Sequence, residues 1–286
     1  MDITRIIVTI GSFLIGAILG SFACCQVWRL RYKELGKKSL GKWSVCLNCG
    51  KRLKAAENIP IFSWLIQKGK CKSCGAKIGK AEILSELGLA VIFAGFGWIL
   101  YPEVVNIMIH LTPANMIIYP ILLAVFLAAI VIFWTLLIYD AKWQKLPTRL
   151  LVAANICAVV IVGLSITNMA LNNTLKFDLA TYLINLAESV AILAGTYLVL
   201  YLISRERLVG SGDWLLALPV AIILNNPMLA LVVLFLSNFL ASIYGIFKQI
   251  KTGKKHLKIP FGPFLVIAFF IVFFLQNELS KLFLGL

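Results

Sequence analysis

The sequence predicts an all-α polytopic membrane protein with about eight transmembrane helices and a small cytosolic zinc-ribbon insert after the first helix. Three observations predict it. Of the 286 residues, 61% are hydrophobic, and the mean hydropathy is +0.94, which excludes an ordinary soluble domain. Apolar runs recur at about 6–28, 83–101, 117–139, 150–168, 180–203, 214–224, 228–247 and 259–276. Between the first two lies a polar, basic stretch with two C-x-x-C pairs.

The first run is followed by Arg29 and Arg31 rather than by a small-residue cleavage site, so it reads as a retained anchor, 1–28. Most of the other runs approach the roughly 20 residues that carry a helix across hydrocarbon. The sixth, 214–224, is short and reads as tilted, re-entrant or shielded by its neighbours. Residues 83–286 form the membrane-embedded core.

Charge orients the chain. The formal net charge is +15, which in a soluble protein would suggest nucleic acid. With the N-terminus outside, the stretches 29–82, 140–149, 204–213 and 248–258 are cytosolic and hold 14, 3, 2 and 5 Lys/Arg. Only Arg5, Lys176 and Lys281 fall outside them. The basic residues therefore follow the positive-inside rule and face anionic lipid, and nucleic-acid binding is not expected. This orientation puts Asp140 and Asp213 at cytosolic ends of apolar runs.

The insert, 29–82, contains Cys46-Leu47-Asn48-Cys49-Gly50 and Cys71-Lys72-Ser73-Cys74-Gly75. A short loop lets two thiolates point at one tetrahedral ion, and the glycine permits the turn. Zinc or a similar thiophilic metal is the expected ligand, with a structural role. Four sulfur ligands leave no open position, and so small a unit needs the folding energy. The competing reading is a pair of disulfides, which a reducing cytosol disfavours. Between the knuckles, the run from Asn58 through Pro60 and Phe62 to Leu65 reads as a small ribbon core or a segment on the membrane surface. Cys24, Cys25 and Cys157 read as packing residues, and His110 and His256 as loop or interface residues.

Ionisable groups at the edge of apolar spans are costly and tend to be functional. Asp140 ends a very apolar run and begins a stretch through Lys142, Lys145 and Pro147; alone, it reads first as an interfacial residue paired with a lysine. Asp213 closes Gly210-Ser211-Gly212-Asp213. It reads either as a helix cap or as a carboxylate that flanking glycines open to an extended substrate. Two neighbouring carboxylates can divide labour as acid and base, because like charges resist joint ionisation. Glu188 lies toward the outer half of its helix, whereas Glu86 begins the second span on the cytosolic side. Pro260, Gly262 and Pro263 open the last span at the depth of the aspartates.

Together these residues resemble the prepilin peptidase family, the type IV leader peptidases with a GxGD aspartate. Gly20-Ser21-Phe22 leading to Arg29 resembles its first-helix signature. The four cysteines with Asn58-Ile59-Pro60 and Phe62-Ser63-Trp64-Leu65 resemble its cytosolic insert. Asp140 with Pro147, the Gly-x-Gly-Asp ending at Asp213, and Pro260-Phe261-Gly262-Pro263 resemble its remaining motifs, in order.

The resemblance implies an intramembrane aspartic protease of the bacterial inner membrane that cuts the basic leader from prepilins and pseudopilins after a glycine. Asp140 and Asp213 would be its dyad, supported by Gly210, Gly212, Pro260, Gly262 and Pro263. It also implies N-methylation of the new N-terminus with S-adenosylmethionine, with Glu86 in the place of a glutamate linked to that activity. The chain departs from the pattern at Cys24, Thr148 and Leu215, which bears on substrate preference and rate. Two other readings stay open: a presenilin-like or signal-peptide-peptidase-like protease, and a membrane adaptor that binds a partner through the ribbon.

Overall fold

The computed structural model describes residues 3–36, 43–109, 112–171, 178–206, 209–253 and 258–284. His110 and His256 lie outside them. The described residues are helical, with two isolated β-bridges and no strand. Seven helices among them are long and apolar enough to cross a membrane. An eighth apolar helix is shorter, as its run suggested. The chain divides into two compact units, Met1–Asn106 and Ile107–Leu286.

In the first unit, α1 (Ile3–Glu34) packs against α3 (Lys80–Ile109). Contact is closest where Gly16 and Gly20 remove side chains from one face of α1. A Cβ at Gly16 would come within 2.7 Å of the Leu89 carbonyl, and one at Gly20 within 2.6 Å of the Ser85 carbonyl. Small residues four apart allow such backbone approach between apolar helices. The Ser85 hydroxyl seals the contact by donating to the Gly20 carbonyl at 2.8 Å. Helix α1 continues past its apolar run to Glu34, where Arg31 and Glu34 pair at 3.3 Å.

The ribbon between α1 and α3 consists of two like knuckles. Gly50 and Gly75 adopt φ of 71° and 68°, and each amide donates at 2.9 Å to the carbonyl of the first cysteine of its pair. The bridges Val45–Arg52 and Lys70–Lys77 close the two turns. The intervening segment forms a 3-10 turn, Ala55–Glu57, and a one-turn helix α2 (Phe62–Ile66). Trp64 is half-buried, while Ile59, Phe62, Leu65 and Ile66 are exposed. The segment thus sends one aromatic inward and turns an apolar surface outward.

In the second unit, α4 (Pro113–Trp143), α5 (Thr148–Leu171), α8 (Ser211–Leu224), α9 (Pro227–Thr252) and α10 (Gly262–Leu284) pack around one core. Phe133 and Phe269 meet edge-on across α4 and α10, with centroids 5.5 Å apart. Helix α6 (Leu179–Val190) passes through a π turn, Ala191–Gly195, into α7 (Thr196–Ser204). Helix α8 has 14 residues with Pro219 inside, and packs on α5, where Asn155 donates to the Leu215 carbonyl at 3.0 Å.

Candidate functional site

Asp140 lies in the last turn of α4 and is 5% exposed. The helix stops four residues later, where Gln144 turns left-handed (φ 54°) and donates its amide to the Asp140 carbonyl at 2.8 Å. The carboxylate accepts the Gly262 N–H on Oδ2 at 2.9 Å. Gly262 opens α10, so this amide has no partner within its own helix. Only glycine allows the approach, since a Cβ there would sit 2.9 Å from Asp140 Oδ2. Pro260, Gly262 and Pro263 are all buried around it.

Asp213 is half-buried in the first turn of α8. Its Oδ2 accepts the Gly210 N–H at 2.9 Å, the reach-back half of a capping box. The reciprocal half is missing because Gly210 has no side chain. Gly212 brings this turn against Leu146 of the α4–α5 connection, where a Cβ would meet the leucine side chain at 2.9 Å. The cap geometry weighed for Asp213 is therefore present, and it orients the carboxylate. Asp140 and Asp213 act on each other electrostatically. Glu188 is exposed. Thr148 starts α5 and is exposed.

Tyr197 escaped the sequence reading. It is buried in α7, two residues beyond the π turn's end at Gly195, and its hydroxyl meets Ser237 Oγ at 3.1 Å and accepts from Asn238 Nδ2 at 2.8 Å. Its ring packs on Phe261 at 5.1 Å, and it lies within the field of Asp213. Adjacent polar residues, Ser237 and Asn238, in an otherwise apolar helix were the available signal. A π turn beside a site is a recurrent functional marker.

In the first unit, the four cysteine sulfurs lie within 4.8 Å of one another, with Cys46 Sγ and Cys74 Sγ 3.9 Å apart. All seven cysteines are free thiols rather than disulfides. The Ala76 amide and the Asn48 side chain draw the Cys74 thiol down to about 6, while desolvation and the neighbouring sulfurs of Cys74 and Cys46 push Cys49 up to about 11. This cluster could hold one metal ion.

A cavity of about 250 Å³ lies beside the cluster. Cys46 and Cys71 form part of its wall; Trp28, Trp64, Glu82 and Glu86 form another part. Glu86 does not simply cap α3. Its Oε2 accepts the Ile61 N–H at 2.6 Å, and its carboxylate also takes a hydrogen bond from Ser21. Ile61 has φ 64° and ψ −56°, and Phe62 N reaches the Pro60 carbonyl at 2.6 Å. That is the strained form of the γ-turn, and a β-branched residue rarely adopts it.

Comparison with known proteins bears on both units. The family model described as the Bacterial Peptidase A24 N-terminal domain matches residues 14–100. A prepilin leader peptidase/N-methyltransferase of Dichelobacter nodosus is 30% identical over 243 residues, which is 84% of this chain and 73% of the relative. Proteins of the same name from Vibrio cholerae and Pseudomonas aeruginosa are 24% and 25% identical, covering 91% and 96% of this chain and 94% and 92% of their own lengths. No solved structure matches. With that identity sustained over most of both chains, the protein belongs to the prepilin leader peptidase/N-methyltransferase family.

Proposed function

We propose that this protein removes the leader from prepilins or pseudopilins with Asp140 and Asp213 as paired catalytic carboxylates, then methylates the amine that cleavage exposes. The observation that carries the cleavage reading is the pair itself. Two carboxylates from separate helices share one electrostatic environment, and each accepts the backbone N–H of a glycine on one oxygen. Those amides orient the remaining oxygens toward substrate and water.

One carboxylate is ionised and takes a proton from the attacking water as its oxygen bonds to the scissile carbonyl carbon. The other is protonated and hydrogen-bonds the carbonyl oxygen. Breakage of the C–N bond then delivers a proton to the departing amine. The titration belongs to the pair. The positive-inside count supports placing both carboxylates and the ribbon on the cytosolic side of the bacterial inner membrane. The basic residues of the insert and the exposed apolar side chains of α2 suit an anionic leaflet.

Four sulfurs with a 3.9 Å edge suit Zn²⁺, for which Zn–S bonds of about 2.3 Å in a tetrahedron give edges near 3.8 Å. The metal would be structural, joining the two knuckles. S-adenosylmethionine, when bound, supplies the methyl group. The cavity of the first unit has the aromatic and acidic wall that a sulfonium nucleoside requires.

The test is cleavage of a prepilin peptide by purified protein in proteoliposomes. Asp140→Asn and Asp213→Asn each abolish cleavage at normal protein level. Near-normal cleavage by either variant overturns the dyad.

A further inference from the structure

We propose that α2 is a re-entrant lipid anchor: Ile59, Phe62, Leu65 and Ile66 lie among the acyl chains of the cytosolic leaflet, and Lys54, Lys68 and Lys70 meet its anionic headgroups. The inference takes only the sidedness from the reading above and uses neither catalytic assignment.

Depth distinguishes α2 from a segment resting on the membrane surface. Its entry is fixed from within the spanning part of the first unit. The Ile61 N–H donates to Glu86 Oε2 at 2.6 Å, and Ser21 bonds the same carboxylate. Ser21 belongs to the apolar run of α1, eight residues before Arg29, the first charge on its cytosolic side. Eight residues of helix rise about 12 Å. Glu86 lies six residues beyond Lys80, about 9 Å along α3. The Ile61 turn is therefore held about two turns of helix below the charges that mark the interface. The cavity wall agrees, since Ser21, Cys24 and Cys25 of α1 share it with Asn58 and Ser63 of the insert. The insert folds back along the last turns of the span instead of standing clear of it.

At this level the long helices already face lipid. Phe22 of α1 and Leu84 and Leu87 of α3 are exposed. Helix α2 presents the same chemistry. Phe62, Leu65 and Ile66 stand at i, i+3 and i+4 on one face and are 60%, 54% and 74% exposed. Ile59, three residues earlier, is exposed as well. Trp64 turns inward, against Gly69, where a Cβ would lie 2.9 Å from its ring. In water the outward face would be an apolar patch without a cover.

Charge identifies the cover. Every exposed charge from Lys51 to Lys80 is a cation. Glu57, the one carboxylate in that stretch, is half-buried and accepts the Lys54 N–H at 2.9 Å. A second copy of this chain would set cation against cation. An anionic leaflet offers acyl chains to the apolar face and phosphates to the lysines, whose long stems reach up to them. Amphipathic segments seat themselves in this way at the boundary of headgroups and acyl chains. Anchoring here also keeps the strained Ile61 turn seated on Glu86, as such strain persists only where its surroundings enforce it.

The experiment uses full-length, metal-loaded protein in nanodiscs of phosphatidylethanolamine and phosphatidylglycerol. p-Benzoylphenylalanine replaces Phe62, Ile66, Leu84 or Ser73 in turn, and intact mass after irradiation identifies what is attached. Positions 62 and 66 are expected to give lipid adducts within about twofold of the lipid-facing Leu84, and about fivefold above Ser73 in the polar loop of the second knuckle. Lys54→Ser, Lys68→Ser and Lys70→Ser together should lower the phosphatidylglycerol share of those adducts about threefold. An unchanged share removes the lysines from the anchor. Lipid yields at 62 and 66 no higher than at Ser73 put α2 in water and overturn it. Crosslinked dimers, or adducts with an added prepilin peptide in place of lipid, give the face to another partner and overturn it too.

Labelling of unmutated protein needs no variant. Phosphatidylglycerol with a diazirine midway along its acyl chain should label residues 59–66, and label confined in the first unit to α1 and α3 overturns the anchor. Trypsin tests the sidedness separately. If it cuts after Lys51 or Lys72 in intact spheroplasts, the leaflet assignment and the proposed topology fall, while lipid adducts retain the anchor.

Discussion

The amide of Gly262 donates to Asp140 at 2.9 Å across 122 residues of sequence, joining the start of α10 to the end of α4. Gly262→Ala would put a methyl group 2.9 Å from the carboxylate oxygen. Overpacking of this kind costs about 1–3 kcal/mol. We expect leader cleavage to fall at least tenfold, with a modest drop in melting temperature. Proteoliposome cleavage rates and a thermal melt check both.

Chelation should separate the two activities. The cysteine cluster forms part of the cavity wall in the first unit, whereas Asp140 and Asp213 lie in the second. Removing metal with a strong chelator, or making Cys71→Ser, should abolish donor binding and methylation before cleavage declines. Mass spectrometry of the pilin product reads both events in one sample. Simultaneous loss would show that the units do not act separately.

Tyr197→Phe deletes a hydroxyl that joins Ser237 and Asn238. Ser237 and Asn238 each keep a bond to the Leu234 carbonyl, so losing the shared hydroxyl costs about 1 kcal/mol. The melting temperature should fall by a few degrees. Because the ring packs on Phe261 beside Gly262, cleavage should slow as well, in kcat more than KM. An unchanged kcat would confine Tyr197 to stability.

Gly20→Ala tests the helix contact beneath the cavity. The added carbon would meet the Ser85 carbonyl at 2.6 Å and Glu86 Cα at 2.7 Å, neither of which can swing away. Helices α1 and α3 must separate, at about 1–3 kcal/mol, and the Ser21–Glu86 contact goes with them. Donor affinity should drop severalfold in the calorimeter.

Much of this was legible in the residues. Apolar runs near 20 residues dictate spanning helices because lipid offers the backbone no other partner. Two C-x-x-C-Gly knuckles dictate converging thiols because the turn is local. Asp140 and Asp213 stood out because carboxylates rarely border such runs. The bond from Gly262 to Asp140 was not legible, since it depends on how α4 and α10 pack. Nor was the Ile61 turn, because propensity argues against a β-branched residue with positive φ, and only tertiary contact with Glu86 overrides it. Tyr197 was hidden for the same reason. Its partners lie on another helix, and one tyrosine in an apolar stretch carries no periodic signature.

The brevity of α8 has a consequence for how a hydrolase can work in lipid. Fourteen residues rise about 21 Å, against roughly 30 Å of hydrocarbon. Along its length neighbouring helices cover it, with Leu216, Ala217, Val220 and Ala221 fully buried, so the shortfall falls at its ends. Asp213 sits in the first turn of this helix and is half-buried, so on the proposed topology that end faces the aqueous phase. On that topology the hydrolytic water would arrive over the end of one undersized helix rather than along a channel through the bundle.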